Sequence, residues 1–92
     1  MDSGMVQIVE NHAEITGSLL HVTRAHDRPG FVALTVKVDA AYQVGDWPNL
    51  FMRNIGETIE VLAQEDSAAA SIKPGPVRMR VKKGGPTTIF AE

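Results

Sequence analysis

The sequence predicts a small closed all-β barrel of five or six antiparallel strands with one short helix. Three observations lead to this prediction. Apolar and polar residues alternate in several short segments, Gly and Pro separate these segments, and the 92 residues contain no internal repeat or linker. A chain of this length forms one domain, residues 1–92, with residues 1–4 frayed. Closure into a barrel is expected because it removes exposed strand edges.

The clearest alternation lies in FVALTVKVDAAY, residues 31–42. The residues of its apolar parity, expected to point inward, are Val32, Leu34, Val36, Val38, Ala40 and Tyr42. The preceding segment, ITGSLLHVTRA, changes its apolar parity near Gly17, which predicts a β-bulge and places Leu20 inward. HDRPG predicts the turn that joins both segments into a long antiparallel hairpin. MVQIV, near the start, predicts a further strand or the first half of the bent one.

A short helix or a pair of helical turns is expected over residues 47–55. Asp46 suits the N-cap, Pro48 the first turn and Gly56 the position after the helix. Phe51, Met52 and Ile55 would then share one face. One longer helix over residues 49–64 also fits the 3.6-residue period, and this alternative stays open.

The rest of the chain predicts short strands. ETIEVLA alternates as a strand if the helix ends at Gly56, and residues 65–75 have room for one helical turn. PVRMRVKK, residues 76–83, predicts a strand with Val77, Met79 and Val81 inward, and TTIFA predicts the last strand. Phe90 adjoins the inward Ile89 and is expected in the core.

This order of elements resembles the plan of the OB-fold over most of residues 5–91. The shared features are a long bulged first hairpin, a helix before the fourth strand and a final hairpin. The tail SIKPGPVRMRVKKGGPTTIFA is also similar to the last hairpin of TOBE-type domains, which are small OB-like barrels appended to transporter ATPases. The resemblance is one of architecture, and it implies an OB-like barrel with a binding role.

Composition narrows the possible functions. Cysteine is absent, which excludes disulfides, thiol catalysis and cysteine-based zinc sites. The chain has no apolar run of membrane-spanning length and no signal-peptide pattern at its start, so we expect a cytoplasmic protein of bacterial style without membrane partners. The net charge is −2, but residues 67–92 carry five basic residues and one acidic residue. This asymmetry indicates either charge complementarity between neighbouring strands or a binding face.

A basic strand face is the candidate surface for single-stranded nucleic acid. Its residues are Lys37, Arg78, Arg80 and Lys82. OB-fold proteins that bind single strands combine such a groove with aromatic stacking platforms. The sequence offers only Phe31 and Trp47 as exposed platforms, so a solvated face whose long side chains cover apolar surface is the favoured interpretation and nucleic-acid binding is the alternative.

Two arginines four residues apart, Arg24 and Arg28, lie in RAHDR. The spacing resembles the RxxxR motif of PilZ domains, small β-barrels that bind a cyclic dinucleotide. That family also carries D/N-x-S-x-x-G. Here DAAYQVG has alanine in the serine position and its glycine one residue late, which puts the cyclic dinucleotide in doubt. The favoured interpretation is a polar turn carrying two surface arginines beside Asp27, and a weak anion site is the alternative.

Catalytic, metal and cofactor sites are not expected. The three histidines, His12, His21 and His26, match no metal-ligand spacing and are interpreted as surface residues. The nucleophile elbow, the P-loop and the GxGxxG motif are all absent. We therefore expect no enzyme activity and no cofactor.

The segment VGDWPNLFM concentrates large apolar side chains, with Trp47 and Phe51 as candidate anchors for a partner. The same residues are also suited to plug one barrel end. The leading hypothesis is a non-enzymatic module for protein–protein or self-association. The alternative is single-stranded nucleic-acid binding through the basic face of residues 76–83. A third possibility is small-ligand or anion binding of the TOBE or PilZ type.

Overall fold

The computed structural model describes residues 9–92, which form a closed barrel of five strands. The strands are β1 (Ala13–Arg24), β2 (Phe31–Gln43), β3 (Thr58–Gln64), β4 (Gly75–Lys83) and β5 (Ile89–Ala91). Their order around the barrel is β1-β2-β3-β5-β4, and β4 pairs with β1 to close it. The predicted small all-β barrel is confirmed. The predictions for MVQIV and for residues 1–4 fall on the first eight residues, outside this range, apart from Val9, which lies in no strand.

One pair of strands departs from the predicted antiparallel sheet. β3 and β5 run parallel and meet at Leu62 and Phe90, whereas the other four pairs are antiparallel. The chain therefore crosses from β3 to β4 and returns through β5, which is inserted between them. This strand order is compatible with an OB-like barrel.

The predicted helix over residues 47–55 is replaced by a single 3-10 turn, Met52–Asn54. The side-chain oxygen of Asn49 accepts a hydrogen bond from the backbone N–H of Phe51 at 3.0 Å, which turns the chain locally. Ile55 is extended and Gly56 has φ +87°, so the turn ends at once. The longer helix over residues 49–64 is also wrong, because β3 occupies its second half. A second 3-10 turn, Ala68–Ser71, fills the connection before β4.

Two β-bulges bend the first hairpin. In one, Thr16 pairs with Ala40 and Gly17 with Val38, so Asp39 is the extra residue. A Cβ on Gly17 would overlap the Lys37 carbonyl oxygen, which is the physical reason for glycine there. The predicted bulge therefore lies where the sequence placed it, but its extra residue belongs to β2.

These bulges correct three predicted inward residues, Ala40, Tyr42 and Leu20. Beyond Asp39 the parity of β2 is reversed, so Ala41 is buried, Ala40 is half-buried and Tyr42 is 50% exposed. The second bulge, between Leu19 and His21 of β1, leaves Leu20 unpaired and 48% exposed. Each bulge adds one residue to one strand, and every later side chain on that strand then changes face.

The core fills the barrel with side chains from all five strands and from the connection after β2. The fully buried large side chains are Phe51, Ile15, Leu19, Leu34, Val36, Val38, Val61, Val81 and Asn11. Asn11, the one polar member, is satisfied because its side chain hydrogen-bonds the backbone of Val9 and Lys83. Phe51 lies in this core, while Met52 and Ile55 are exposed, so these three residues do not share a buried face as predicted.

Candidate ligand-binding site

A cleft of about 620 Å³ opens between the loop after β1 and the loop before β5. We call it the arginine cleft. It lies over the outer surface of β2 and β3, and its polar lining residues are Thr23, Arg24, His26, Asp27, Arg28, Glu60, Thr87 and Thr88. The two arginines of RAHDR, whose alternative interpretation is a weak anion site, therefore line a concave surface. Sequence reasoning missed the threonines, because only the barrel closure brings residues 87–88 beside the first hairpin.

Backbone hydrogen bonds hold the arginine loop in place. The N–H of Ala25 donates to the Phe31 carbonyl at 3.1 Å, and the N–H of Phe31 donates to the Arg28 carbonyl at 3.1 Å. Gly30 adopts φ +87°, and its carbonyl accepts a hydrogen bond from the N–H of Glu65 at 2.9 Å. The loop is thus fastened to β2 and to the end of β3, so Arg28 projects from a defined backbone.

Aromatic rings lie beside the arginine cleft. The rings of Phe31 and Phe90 are 6.1 Å apart between centroids and tilted by 58°. The guanidinium carbon of Arg28 lies 5.4 Å from the centroid of Phe90, within cation–π range. Phe90 is not in the core as predicted, because its neighbour Ile89 points inward and adjacent strand residues face opposite sides. The alternation within TTIFA was the signal that would have placed it correctly.

A second groove of about 410 Å³ lies next to these rings, and we call it the aromatic groove. Its lining residues are Phe31, Gln64, Ser67, Ala68, Ala69, Lys82, Phe90, Ala91 and Glu92. Lys82 of β4 is the cross-strand partner of Phe90 in β5. One end of the predicted basic face therefore reaches an aromatic platform.

The remaining predicted nucleic-acid residues do not form one groove. Arg78 and Arg80 point outward from β4, and the side chain of Arg78 is ion-paired with Glu14 of β1. Lys37 lies two strands away, since Ser18 of β1 pairs with Lys37 on one side and with β4 on the other. With about 4.8 Å between neighbouring strands, β1 separates Lys37 from β4 by about 10 Å.

The two candidate partner anchors have different environments. Trp47 is 42% exposed, and its ring meets the His12 ring edge-on with centroids 5.0 Å apart. Phe51 is fully buried and belongs to the core, so its side chain offers no surface to a partner. Met52 and Ile55, from the same connection, are 59% and 41% exposed and were not among the anchors predicted from sequence.

The histidines lie apart from one another. His12 is held between two carboxylates, with Nδ1 2.7 Å from Glu92 and Nε2 3.1 Å from Glu10. The hydrogen bond to Glu92, and secondarily that to Glu10, raises the pKa of His12. His21 is hydrogen-bonded to the hydroxyl of Thr35 at 3.1 Å, and His26 lines the arginine cleft.

Within residues 9–92 no group of three or more His, Asp or Glu side chains is placed to hold a metal ion. The arrangement at His12 illustrates the reason. The carboxylates of Glu10 and Glu92 approach opposite ring nitrogens, so the three side chains do not converge on one point.

No protein-family model, curated protein or solved structure matches the chain. Across residues 9–92 there is also no helix long and apolar enough to cross a membrane.

Proposed function

We propose that this domain is a non-enzymatic binding module for single-stranded nucleic acid, with the arginine cleft as its main contact. The observation that carries the proposal is the position of this cleft. In OB-folds, the outer surface of strands 2 and 3 and the loops 1–2 and 4–5 bind oligonucleotides and oligosaccharides. The arginine cleft lies over β2 and β3 between the two corresponding loops.

The arginines of the cleft suit a phosphate-bearing ligand, and their formal charges are balanced by Asp27 and Glu60 in the same lining. Arginine presents a planar fork of donors that matches phosphate oxygens, and Thr87 and Thr88 add hydroxyl donors. Neither Arg24 nor Arg28 is ion-paired with a carboxylate of residues 9–92, whereas Arg78 on the basic strand is paired. We therefore assign the phosphate contact to Arg24 and Arg28 and not to the basic strand, residues 76–83.

The number of arginines sets the expected salt dependence. Two phosphates neutralised on a single strand give a slope of log K against log salt of about −1.4. A third contact, from Lys82, would make the slope about −2.1. Affinity should accordingly fall between about 7-fold and 18-fold when salt rises from about 50 to about 200 mM.

The test is fluorescence anisotropy of labelled mixed-sequence single-stranded DNA and RNA at low and physiological salt. We expect binding that the double variant Arg24→Ala/Arg28→Ala weakens and whose salt slope it reduces. Arg53→Ala is the matched control, because Arg53 is an exposed arginine of the 3-10 turn outside the cleft. Absence of binding at low salt, or equal losses in both variants, would refute the proposal.

Arg80→Ala separates the arginine cleft from the basic strand. Arg80 projects from the middle of β4 and is exposed. If the basic face of residues 76–83 is the binding surface after all, this variant will lower the salt slope as much as the loss of one cleft arginine. If the arginine cleft is the surface, Arg80→Ala will leave the slope close to that of wild type.

Protein–protein or self-association is the second candidate, favoured by the exposed apolar side chains after β2. Trp47, Met52 and Ile55 lie within one connection, and Trp and Met are enriched at protein interfaces. Association driven by these side chains should persist in high salt and be lost in Trp47→Ala. Sedimentation velocity over a range of concentrations tests self-association, and a protein that is monomeric throughout would exclude it.

A free small anion in the arginine cleft is the third candidate. It shares the phosphate chemistry of the first, but it requires no chain. A ligand that binds the folded state raises the melting temperature. Stabilisation by inorganic phosphate or a mononucleotide, without any oligonucleotide binding, would favour the small anion.

A further inference from the structure

We propose that the aromatic groove is a subsite for one nucleobase of the strand whose phosphates contact the arginine cleft. This inference rests on the proposed function and adds a second contact of different chemistry. A site built from arginines alone would contact only the phosphates of the nucleic-acid strand. The aromatic groove would make binding depend on the presence of bases.

The floor of the groove suits a flat apolar ring. The rings of Phe31 and Phe90 are both half-buried, and Ala68, Ala69 and Ala91 add small apolar surface around them. Stacking of bases on aromatic side chains is the usual source of affinity in single-strand binding, and it tolerates different base sequences. The groove volume of about 410 Å³ is within the range of small-molecule sites.

Polar side chains also line this groove. The Gln64 side chain offers an amide donor and a carbonyl acceptor, and Lys82 offers a donor opposite Phe90. Glu92 also lines the groove, but its carboxylate is hydrogen-bonded to His12 at 2.7 Å and 2.8 Å. The rim can therefore bond a base edge, with the negative charge of Glu92 directed to the imidazole.

Arg28 connects the two sites. It lines the arginine cleft, and its guanidinium lies 5.4 Å from the ring centroid of Phe90, which lines the aromatic groove. A phosphate bound by Arg28 is thus adjacent to a base stacked beside Phe90, as consecutive parts of one nucleotide must be.

Acidic residues restrict the direction of the strand. Glu65 and Asp66 line a separate depression together with Phe31 and Gln64. Phosphates are repelled from that side of Phe31 and attracted toward Arg28 and Lys82. The charge pattern therefore favours a backbone that passes on the Arg28 side while a base enters the groove.

The experiment compares a labelled oligothymidylate with an abasic oligonucleotide of equal length, both measured by fluorescence anisotropy. Stacking in the groove should make the base-bearing strand bind between about 5-fold and 150-fold more tightly. Phe90→Leu should remove most of this preference while the salt slope stays unchanged. Tyr42→Leu is the matched control, since Tyr42 is an exposed aromatic residue of β2 outside the groove.

A second variant guards against loss of the fold in Phe90→Leu, because Phe90 packs against Gly84. Ala68→Trp places a large side chain at the groove from an exposed position in the 3-10 turn and removes no core contact. It should abolish the base preference and leave binding of the abasic strand intact.

The outcomes separate this inference from the proposed function. Equal, salt-dependent binding of both oligonucleotides would overturn the nucleobase subsite and leave the arginine cleft as a backbone site. A base preference that survives both Phe90→Leu and Ala68→Trp would place the base elsewhere and also overturn the inference. No binding of either strand would overturn the proposed function and the inference together.

Discussion

Phe51→Ala decides whether Phe51 is a structural plug or a surface for partners. Its side chain is fully buried in the core cluster, although it lies only four residues after the exposed Trp47. Truncating a buried phenylalanine to alanine destabilises a protein by about 3–5 kcal/mol. Area gives a similar figure. A buried aromatic removes about 150–250 Å² from water, and at about 25 cal/mol per Å² this is an upper bound of about 4–6 kcal/mol.

That loss is large for a domain of this size. The total free energy of unfolding expected for 92 residues is about 5–14 kcal/mol, so Phe51→Ala should remove about a quarter of it or more. Urea denaturation followed by far-UV circular dichroism measures the change. With a slope of about 1–3 kcal/mol per M, the midpoint should fall by at least about 1 M.

Trp47→Ala is the control from the same connection. Trp47 is 42% exposed, so its truncation should change the free energy of unfolding by about 1 kcal/mol or less. The reasoning is refuted if Phe51→Ala lies within about 1 kcal/mol of wild type, or if Trp47→Ala loses as much stability as Phe51→Ala.

Three further predictions follow from the barrel. Val36→Asp should unfold the domain, because Val36 is fully buried, whereas Lys37→Asp on the exposed face should be tolerated; circular dichroism compares them. Gly17→Ala should lower the urea midpoint, since the new Cβ meets the Lys37 carbonyl in the bulge; an unchanged midpoint would contradict this contact. His12→Gln should destabilise the domain in a pH-dependent manner. Because Glu92 raises the pKa of His12 in the folded state, the stabilisation from His12 is fully present below the unfolded pKa of about 6.5 and is lost as pH rises through the folded pKa. Unfolding midpoints of wild type and His12→Gln, measured from about pH 5 to about pH 8, should converge at the alkaline end, and a constant difference would show that the pair with Glu92 carries no linkage.

Strand positions were predictable because the alternation of apolar and polar residues indicates which side chains point inward. Ile59, Val61 and Ala63 of β3 and Met79 and Val81 of β4 are buried as the alternation indicates. The errors at Leu20, Ala40 and Tyr42 arose where one residue is added to a strand. The bulge at Asp39 leaves no mark of its own in the alternation of apolar residues, so the reversal that exposes Tyr42 could not be seen without the partner strand.

The short helix failed for a different reason. Asp46 and Pro48 are good local signals for a helix start, but tertiary burial of Phe51 and the side-chain hydrogen bond from Asn49 determine the path of this connection. Local propensity is a weak preference that packing overrides. The loss of the helix also explains why Met52 and Ile55 are exposed.

Only part of the site was visible in the sequence. The spacing of Arg24 and Arg28 offered an anion site as an alternative, and the parity of residues 76–83 correctly placed Arg78, Arg80 and Lys82 outside. Which charged side chains come close to one another depends on the order of the strands around the barrel. The parallel contact between β3 and β5 brings Phe90 beside the first hairpin, and no local pattern encodes a pairing over such a separation in sequence.

The net charge of −2 is compatible with a nucleic-acid ligand because local charges matter more than the sum. At physiological salt, charges beyond about 8 Å are largely screened, so a bound strand responds mainly to the residues that it contacts. In the arginine cleft the charges of Arg24 and Arg28 are formally balanced by Asp27 and Glu60. Attraction of phosphates by the cleft alone is therefore modest and depends on the fork geometry of arginine.

Because the charges in the arginine cleft are balanced, we expect base stacking in the aromatic groove to supply much of the affinity for a nucleic-acid strand. A strongly basic groove would bind any polyanion, and its affinity would fall steeply with salt. A balanced cleft beside an aromatic groove should instead show a shallow salt slope and a strong dependence on bases, because stacking is not screened by ions. Inorganic polyphosphate should for the same reason compete poorly with oligothymidylate, although both present phosphates to Arg28. Effective competition by polyphosphate would indicate that charge dominates and that Phe31 and Phe90 are only part of the scaffold.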